Sequence, residues 1–88
     1  MMTEWTIPTD NSLAGQIYLE GNLLYFTEAW GNKIGCLNVS SGLFREWTVP
    51  TADSQPLGIY VSGGLVYFTE AIGNKIGCLN PSTGVFNE

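Results

Sequence analysis

The chain has 88 residues, of which three are basic and eight are acidic, so that its net charge is −5. A chain of this length buries only about 60% of the surface that it exposes when unfolded, and its two cysteines and lack of histidine exclude a disulfide framework and a Cys/His zinc site. The scarcity of basic residues argues against nucleic acids and membrane surfaces as partners. Because no signal-peptide pattern opens the chain, we expect a cytoplasmic protein that is stabilised by self-association.

The chain contains two copies of one 42-residue repeat. Residues 4–45 and 46–87 align without a gap and are identical at 26 of 42 positions, and Glu88 matches the first residue of both copies. A period of about 40–45 residues is typical of propeller blades. We therefore interpret residues 1–88 as a single unit of two tandem blades.

Each repeat is predicted to form four short strands separated by turns. In the second copy these strands are Glu46–Val49, Gly58–Ser62, Leu65–Ala71 and Lys75–Asn80. Gly63-Gly64 and Gly73-Asn74 provide residues that tolerate the positive φ angles of tight hairpin turns. The second and third strands are apolar on both faces, which predicts that each sheet is covered on both sides, as in a propeller.

The strand order predicts an all-β protein of two four-stranded antiparallel blades, with the outer strand first in each repeat. Residues 46–49 would then complete the first blade, whereas nothing in the chain would complete the second blade. We expect the left-over strand, formed by Glu4, Trp5, Thr6 and Ile7, to complete the second blade of another copy. A homotrimer would close a ring of six blades, and a homotetramer would close a ring of eight.

Three motifs of the repeat carry a family resemblance. In the second copy they are Tyr67-Phe68-Thr69-Glu70, Gly73-Asn74-Lys75-Ile76-Gly77 and Leu79-Asn80-Pro81-Ser82-Thr83-Gly84. Together with the Glu-Trp-Thr-Val-Pro-Thr block, they resemble the blades of the virginiamycin B (streptogramin B) lyase family. That resemblance implies a ring of about seven blades and an enzyme that opens a cyclic depsipeptide by elimination, using histidine, glutamate and Mg²⁺. Leu57 and Gly15 stand where family blades often carry histidine, so the catalytic histidines have no counterpart here.

Glu28 and Glu70 are the best candidates for a functional site. They occupy equivalent positions near the end of the third strand, which corresponds to the mouth of the ring in the family that the repeat resembles. Repeated around a ring, these carboxylates could hold Ca²⁺ or Mg²⁺ through oxygen ligands. The alternative is that each carboxylate hydrogen-bonds the adjacent turn or pairs with Lys33 or Lys75.

Trp30 and Leu57 are predicted to lie at the same mouth, where an aromatic or apolar side chain could contact a ligand. The alternative for Trp30 is a hydrophobic cap at a blade junction. Cys36 and Cys78 are 42 residues apart in identical contexts, which predicts positions too distant for a disulfide in neighbouring blades. We expect both to be small buried hydrophobic residues.

Three hypotheses for the function remain open. The first is a non-catalytic, self-assembling propeller half-unit without a cofactor, which has a structural role or binds a ligand weakly at the ring mouth. The second is a metal-assisted C–O lyase similar to the streptogramin B lyases, with Glu28 and Glu70 as metal ligands. The third is that the chain is a piece of a longer propeller.

Overall fold

A computed structural model describes residues 2–88 as an all-β protein. Its strands are β1 (Ala14–Glu20), β2 (Leu23–Glu28), β3 (Lys33–Asn38), β4 (Phe44–Thr48), β5 (Pro56–Ser62), β6 (Leu65–Glu70), β7 (Lys75–Asn80) and β8 (Val85–Asn87). They form two four-stranded sheets, sheet 1 with the order β1-β2-β3-β4 and sheet 2 with the order β5-β6-β7-β8. Every neighbouring pair is antiparallel. Within residues 2–88, no helix is long and apolar enough to cross a membrane.

The strand that opens the second repeat belongs to sheet 1. In β4, Glu46 pairs with Gly35 of β3, and Trp47 pairs with Ile34. Sheet 1 therefore takes its first three strands from the first repeat, and its last strand spans the junction with the second repeat. The prediction of two four-stranded antiparallel sheets is confirmed.

Sheet 2 has a fourth strand, β8. The expectation that nothing in the chain would complete the second blade is therefore wrong. Strand pairing begins before the Glu-Trp block, because Phe44 already pairs with Leu37 in sheet 1, and the equivalent Phe86 pairs with Leu79 in sheet 2. However, β8 has three residues where β4 has five. Ile76 consequently has no strand partner on the β8 side within residues 2–88.

Residues 4–7 belong to neither sheet. The segment has no third strand of a preceding blade to pair with among residues 2–88. Trp5 nevertheless packs beside Gly42, as Trp47 packs beside Gly84 one repeat later. The N-terminal segment therefore lies over sheet 1 in the way that the start of the second repeat lies over sheet 2.

The two faces of each sheet differ. One face carries Glu28 in sheet 1 and Glu70 in sheet 2, and we call it the glutamate face. The opposite face, which carries Tyr25 and Tyr67, is called the tyrosine face, since residues an odd number apart along a strand point to opposite sides. The core lies where the tyrosine face of sheet 1 packs against the glutamate face of sheet 2. Its buried members are Tyr25, Ile34, Cys36, Val49, Val61, Val66, Phe68 and Leu79.

Gly35 creates space on the glutamate face of sheet 1. It pairs with Phe26 of β2, and a Cβ atom at position 35 would overlap the Phe26 ring and lie 2.9 Å from Oε2 of Glu28. Gly77 repeats this arrangement in sheet 2. The glycine of each third strand thus leaves room for the aromatic ring and for the glutamate of the candidate site.

Candidate functional site

Glu28 forms a buried carboxyl pair with Glu46. The Glu28 side chain is fully buried at the end of β2, and as a carboxylate it finds no hydrogen-bond partner among residues 2–88. Two carboxylates contain only acceptors, so a proton on Glu28 supplies the missing donor for a hydrogen bond to Glu46. Burial, followed by the hydrogen bond and the charge of Glu46, raises the pKa of Glu28 to about 8, against the opposing charge of Lys33.

Lys33 and Thr9 support the Glu46 side of this pair. Nζ of Lys33 lies 3.9 Å from Oε1 of Glu46 and donates to Oγ1 of Thr9 at 2.8 Å. Thr9 in turn donates its hydroxyl to Oε2 of Glu46 at 2.8 Å. Glu46 therefore accepts a hydrogen bond from Thr9 and lies close to the charge of Lys33, whereas Glu28 is more deeply buried.

Sheet 2 repeats this network with Glu70 and Glu88. Thr51 donates to Oε2 of Glu88 at 2.9 Å and accepts a hydrogen bond of 2.9 Å from Lys75. Burial, followed by the hydrogen bond and charge of Glu88, raises the pKa of Glu70 to about 7. Burial also acts to raise the pKa of Glu88, but hydrogen bonds from Glu70 and Thr51 and the charge of Lys75 bring that pKa below its ordinary value.

The oxygen atoms of these pairs fit a shared proton and are too few to surround Ca²⁺ without other ligands. Each pair offers two carboxyl groups and one hydroxyl, whereas Ca²⁺ takes about six to eight oxygen ligands. The ammonium of Lys33 already lies beside the first pair. No three His, Cys, Asp or Glu side chains come together within the part of the chain that the structure describes. The structure thus places the side chains of Glu28 and Glu70 inside the blades, each beside a second glutamate.

Trp30 and Leu57 lie at one end of the sheets. There the loops that lead into β1 and β5 meet the turns that follow β2 and β6: the carbonyl of Ser12 accepts the Trp30 N–H at 2.9 Å, and the carbonyl of Ser54 accepts the Ile72 N–H at 2.9 Å. The side chains of Trp30, Leu57 and Ile72 are all exposed at this rim. A ligand can reach this rim, in contrast to the buried glutamates.

Asn32 links the two sheets, a role that the sequence analysis missed. Its Nδ2 donates to the carbonyls of Val49 at 3.2 Å and Thr51 at 3.0 Å, and its Oδ1 accepts from the backbone N–H of Ser54 at 3.0 Å and from the Ser54 hydroxyl at 2.7 Å. The amide thereby uses its full capacity of two donors and two lone pairs. We call this arrangement the amide clamp. The signal in the sequence was that asparagine and serine recur at these two positions of the repeat, the serine inside a loop that largely varies.

These features define the chain as two adjacent blades of a β-propeller: four-stranded antiparallel sheets, stacked face to face, with the last strand of sheet 1 running across the junction between the two repeats. The solved structures that it resembles are streptogramin B lyases. Virginiamycin B lyase from Staphylococcus aureus aligns with a TM-score of 0.87 and 33% identity over 97% of this chain and 29% of the enzyme. A catalytically inactive variant of that enzyme with quinupristin gives a TM-score of 0.87 and 32% identity over 97% of this chain and 29% of the variant.

A further streptogramin B lyase structure aligns with a TM-score of 0.88 and 34% identity, covering 97% of this chain and 28% of the lyase. No protein-family model and no curated protein matches the chain. The predicted resemblance to virginiamycin B lyase-like blades is therefore confirmed. The chain spans less than a third of the length of each of these lyases.

Proposed function

We propose that this chain is a non-catalytic propeller unit that assembles with copies of itself. In this proposal, the tyrosine face of sheet 2 in one copy packs against the glutamate face of sheet 1 in the next. The observation that carries the proposal is that both sides of the internal interface occur a second time in the chain, and that each second occurrence leaves exposed some apolar side chains whose equivalents the internal interface covers.

The tyrosine face of sheet 2 is the exposed counterpart of a buried surface. Ile34 is 0% exposed, whereas its equivalent Ile76 is 65% exposed, and the exposed fraction rises from 6% for Tyr25 to 40% for Tyr67. Tyr60, Tyr67 and Ile76 line an apolar groove of about 210 Å³ on this face. Burying one such side chain contributes about 1.5–3 kcal/mol, so covering this face would stabilise the unit.

The glutamate face of sheet 1 is exposed along its β1 edge, although the centre of this face is buried. Leu19 is 58% exposed where the equivalent Val61 is 5% exposed against the neighbouring sheet, and Ile17 is exposed where Ile59 is half-buried. Each copy thus presents one face of each kind. Two different faces that fit each other produce head-to-tail association, which forms a ring if the rotation closes.

The position of the N-terminal segment supports the proposed contact. Thr9 bonds Glu46 at 2.8 Å as Thr51 bonds Glu88 at 2.9 Å, so that residues 4–9 take the same position on sheet 1 as residues 46–51 take on sheet 2. Applying the register of Trp47 opposite Ile34, Trp5 of one copy would lie opposite Ile76 of the next, so that residues 5–7 continue its short β8 directly after Glu88.

Mass measurement of the 88-residue chain tests the proposal. We expect native mass spectrometry to give three or four times the 9.6 kDa of one chain, which corresponds to six or eight blades. Ile76→Asp should shift the protein to the monomer because it places a charge in the interface. Ile72→Asp is the matched control, since Ile72 is equally exposed at 65% but lies on the rim. A wild-type chain that stays at 9.6 kDa at every concentration would contradict self-assembly and favour coverage of these faces by further blades of a longer chain.

Lyase activity is the competing function, because the similar structures are streptogramin B lyases. The chain has no histidine to act as a general base. Its Glu28 and Glu70 side chains are buried, so that a substrate cannot reach them. We therefore expect no linear product when the assembled protein is incubated with quinupristin and Mg²⁺. Product that appears with the wild type, and not with buffer, would overturn the non-catalytic part of the proposal.

A further inference from the structure

The amide clamp between the two sheets has a second copy whose partners are absent from its own chain. Asn74 is the repeat equivalent of Asn32, has nearly the same positive φ angle (59° against 56°), and is exposed. Its side chain makes no hydrogen bond within residues 2–88, whereas Asn32 makes four. The asparagine amide thus has all its hydrogen-bond partners between sheets 1 and 2, whereas its repeat equivalent at the exposed side of sheet 2 has none within residues 2–88.

The partners that Asn74 lacks are present at the opposite end of the chain. Asn32 contacts Val49, Thr51 and Ser54, and one repeat earlier these positions are Ile7, Thr9 and Ser12. The two backbone carbonyls and the backbone N–H that the clamp uses are available from any residue, and the serine hydroxyl is conserved between the repeats. Ser12 is buried like Ser54, although no asparagine amide bonds it in the described chain.

From this arrangement we propose that Asn74 is an intermolecular latch, which binds the carbonyls of Ile7 and Thr9 and the backbone N–H and hydroxyl of Ser12 in a second copy. The proposal rests on the head-to-tail assembly described above and identifies what fixes its register. Apolar faces alone tolerate sliding, whereas an amide whose donors and lone pairs all meet matching groups defines one alignment. The partner is therefore the segment 7–12 of another copy.

Matched glycine substitutions distinguish an effect on assembly from an effect on the stability of the fold. Glycine keeps the positive φ angle of the turn and removes only the amide. Asn32→Gly should lower the free energy of unfolding, because it breaks bonds inside the chain. Asn74→Gly should leave unfolding of the dilute monomer unchanged and weaken assembly, raising the dissociation constant by about ten-fold or more, as expected for lost interface hydrogen bonds.

A double-mutant cycle identifies the partner residue. Ser12→Ala should also weaken assembly, and combining it with Asn74→Gly should weaken assembly by less than the product of the two single effects, because both remove the same contact. Sedimentation velocity over a range of concentrations gives the dissociation constants. If the wild type assembles and Asn74→Gly assembles equally well, or if the two effects multiply, the latch is overturned while self-assembly stands. If the wild type is monomeric throughout, both proposals fail.

Discussion

The buried carboxyl pairs predict a stability that falls as pH rises through the neutral range. In the folded chain the pKa of Glu28 is about 8 and that of Glu70 about 7, against an ordinary value of 4.5. A carboxyl whose pKa is raised by folding contributes its full stability below the unfolded value and loses it as pH rises through the folded value. We therefore expect the free energy of unfolding to decrease between about pH 4.5 and pH 8.

Glu28→Gln isolates the contribution of one pair. Glutamine is neutral at every pH, has nearly the same shape, and its amide can donate to Glu46 in place of the proton. One pKa unit corresponds to about 1.4 kcal/mol, so a rise from 4.5 to about 8 sets an upper limit of about 5 kcal/mol at pH above 8. Water that relaxes around the charge reduces this value, and we expect the variant to be more stable than the wild type by about 2–5 kcal/mol at pH 9 and nearly equal to it at pH 4.5.

Urea unfolding at half-unit steps between pH 4.5 and pH 9, at one fixed chain concentration, measures this difference. Glu20→Gln is the control, because Glu20 is an exposed carboxylate of β1 in the same sheet, and it should leave the pH profile parallel to that of the wild type. A Glu28→Gln profile that is also parallel to the wild type would refute the shared proton. A wild-type stability that increases from pH 5 to pH 8 would show instead that Lys33 keeps both carboxyls ionised.

Packing and exposure lead to three more expected outcomes. Gly35→Ala should lower the free energy of unfolding by about 1–3 kcal/mol, because the added Cβ overlaps the Phe26 ring; a urea midpoint equal to that of the wild type would contradict this. Cys78, half-buried on the exposed tyrosine face, should react with a maleimide faster than buried Cys36, whose thiol pKa is raised by burial. Cys78 should become protected at concentrations where the chain assembles, and an unchanged rate would count against the interface. Removing residues 1–9 should abolish assembly, which native mass spectrometry would detect.

Sequence reasoning predicted the strands well where turns on both sides delimit them. β7 has the expected bounds, Lys75–Asn80, because a Gly-Asn turn precedes it and a proline turn follows it. The last strand of each sheet was harder, since β4 begins at Phe44, two residues before the Glu-Trp block that marks the repeat. Where a strand starts depends on the partner that it pairs with, and the partner is a tertiary property. For that reason the presence of β8 was missed.

For the candidate site, too, the sequence pattern predicted which residues recur but not how they pack. The recurrence of glutamate at positions 28 and 70 singles these residues out in the sequence, but their burial depends on a glycine across the strand pair and on loops that close over them. The hydrogen bonds of Asn32 reach residues between 17 and 22 positions away. No local pattern reports on contacts at that range. The recurrence of the asparagine and of its serine partner in both repeats is the trace that they leave.

The position of Glu88 in the repeat has a consequence for how the protein can be extended. Glu88 is equivalent to Glu46, and Trp5 is equivalent to Trp47. The peptide bond between Glu46 and Trp47, which carries the chain along β4 in the first blade, is therefore the same bond that would join Glu88 of one gene copy to Trp5 of the next. A four-blade polypeptide can accordingly be encoded by direct fusion at this point, with the repeat acting as its own linker and no foreign residue at the junction.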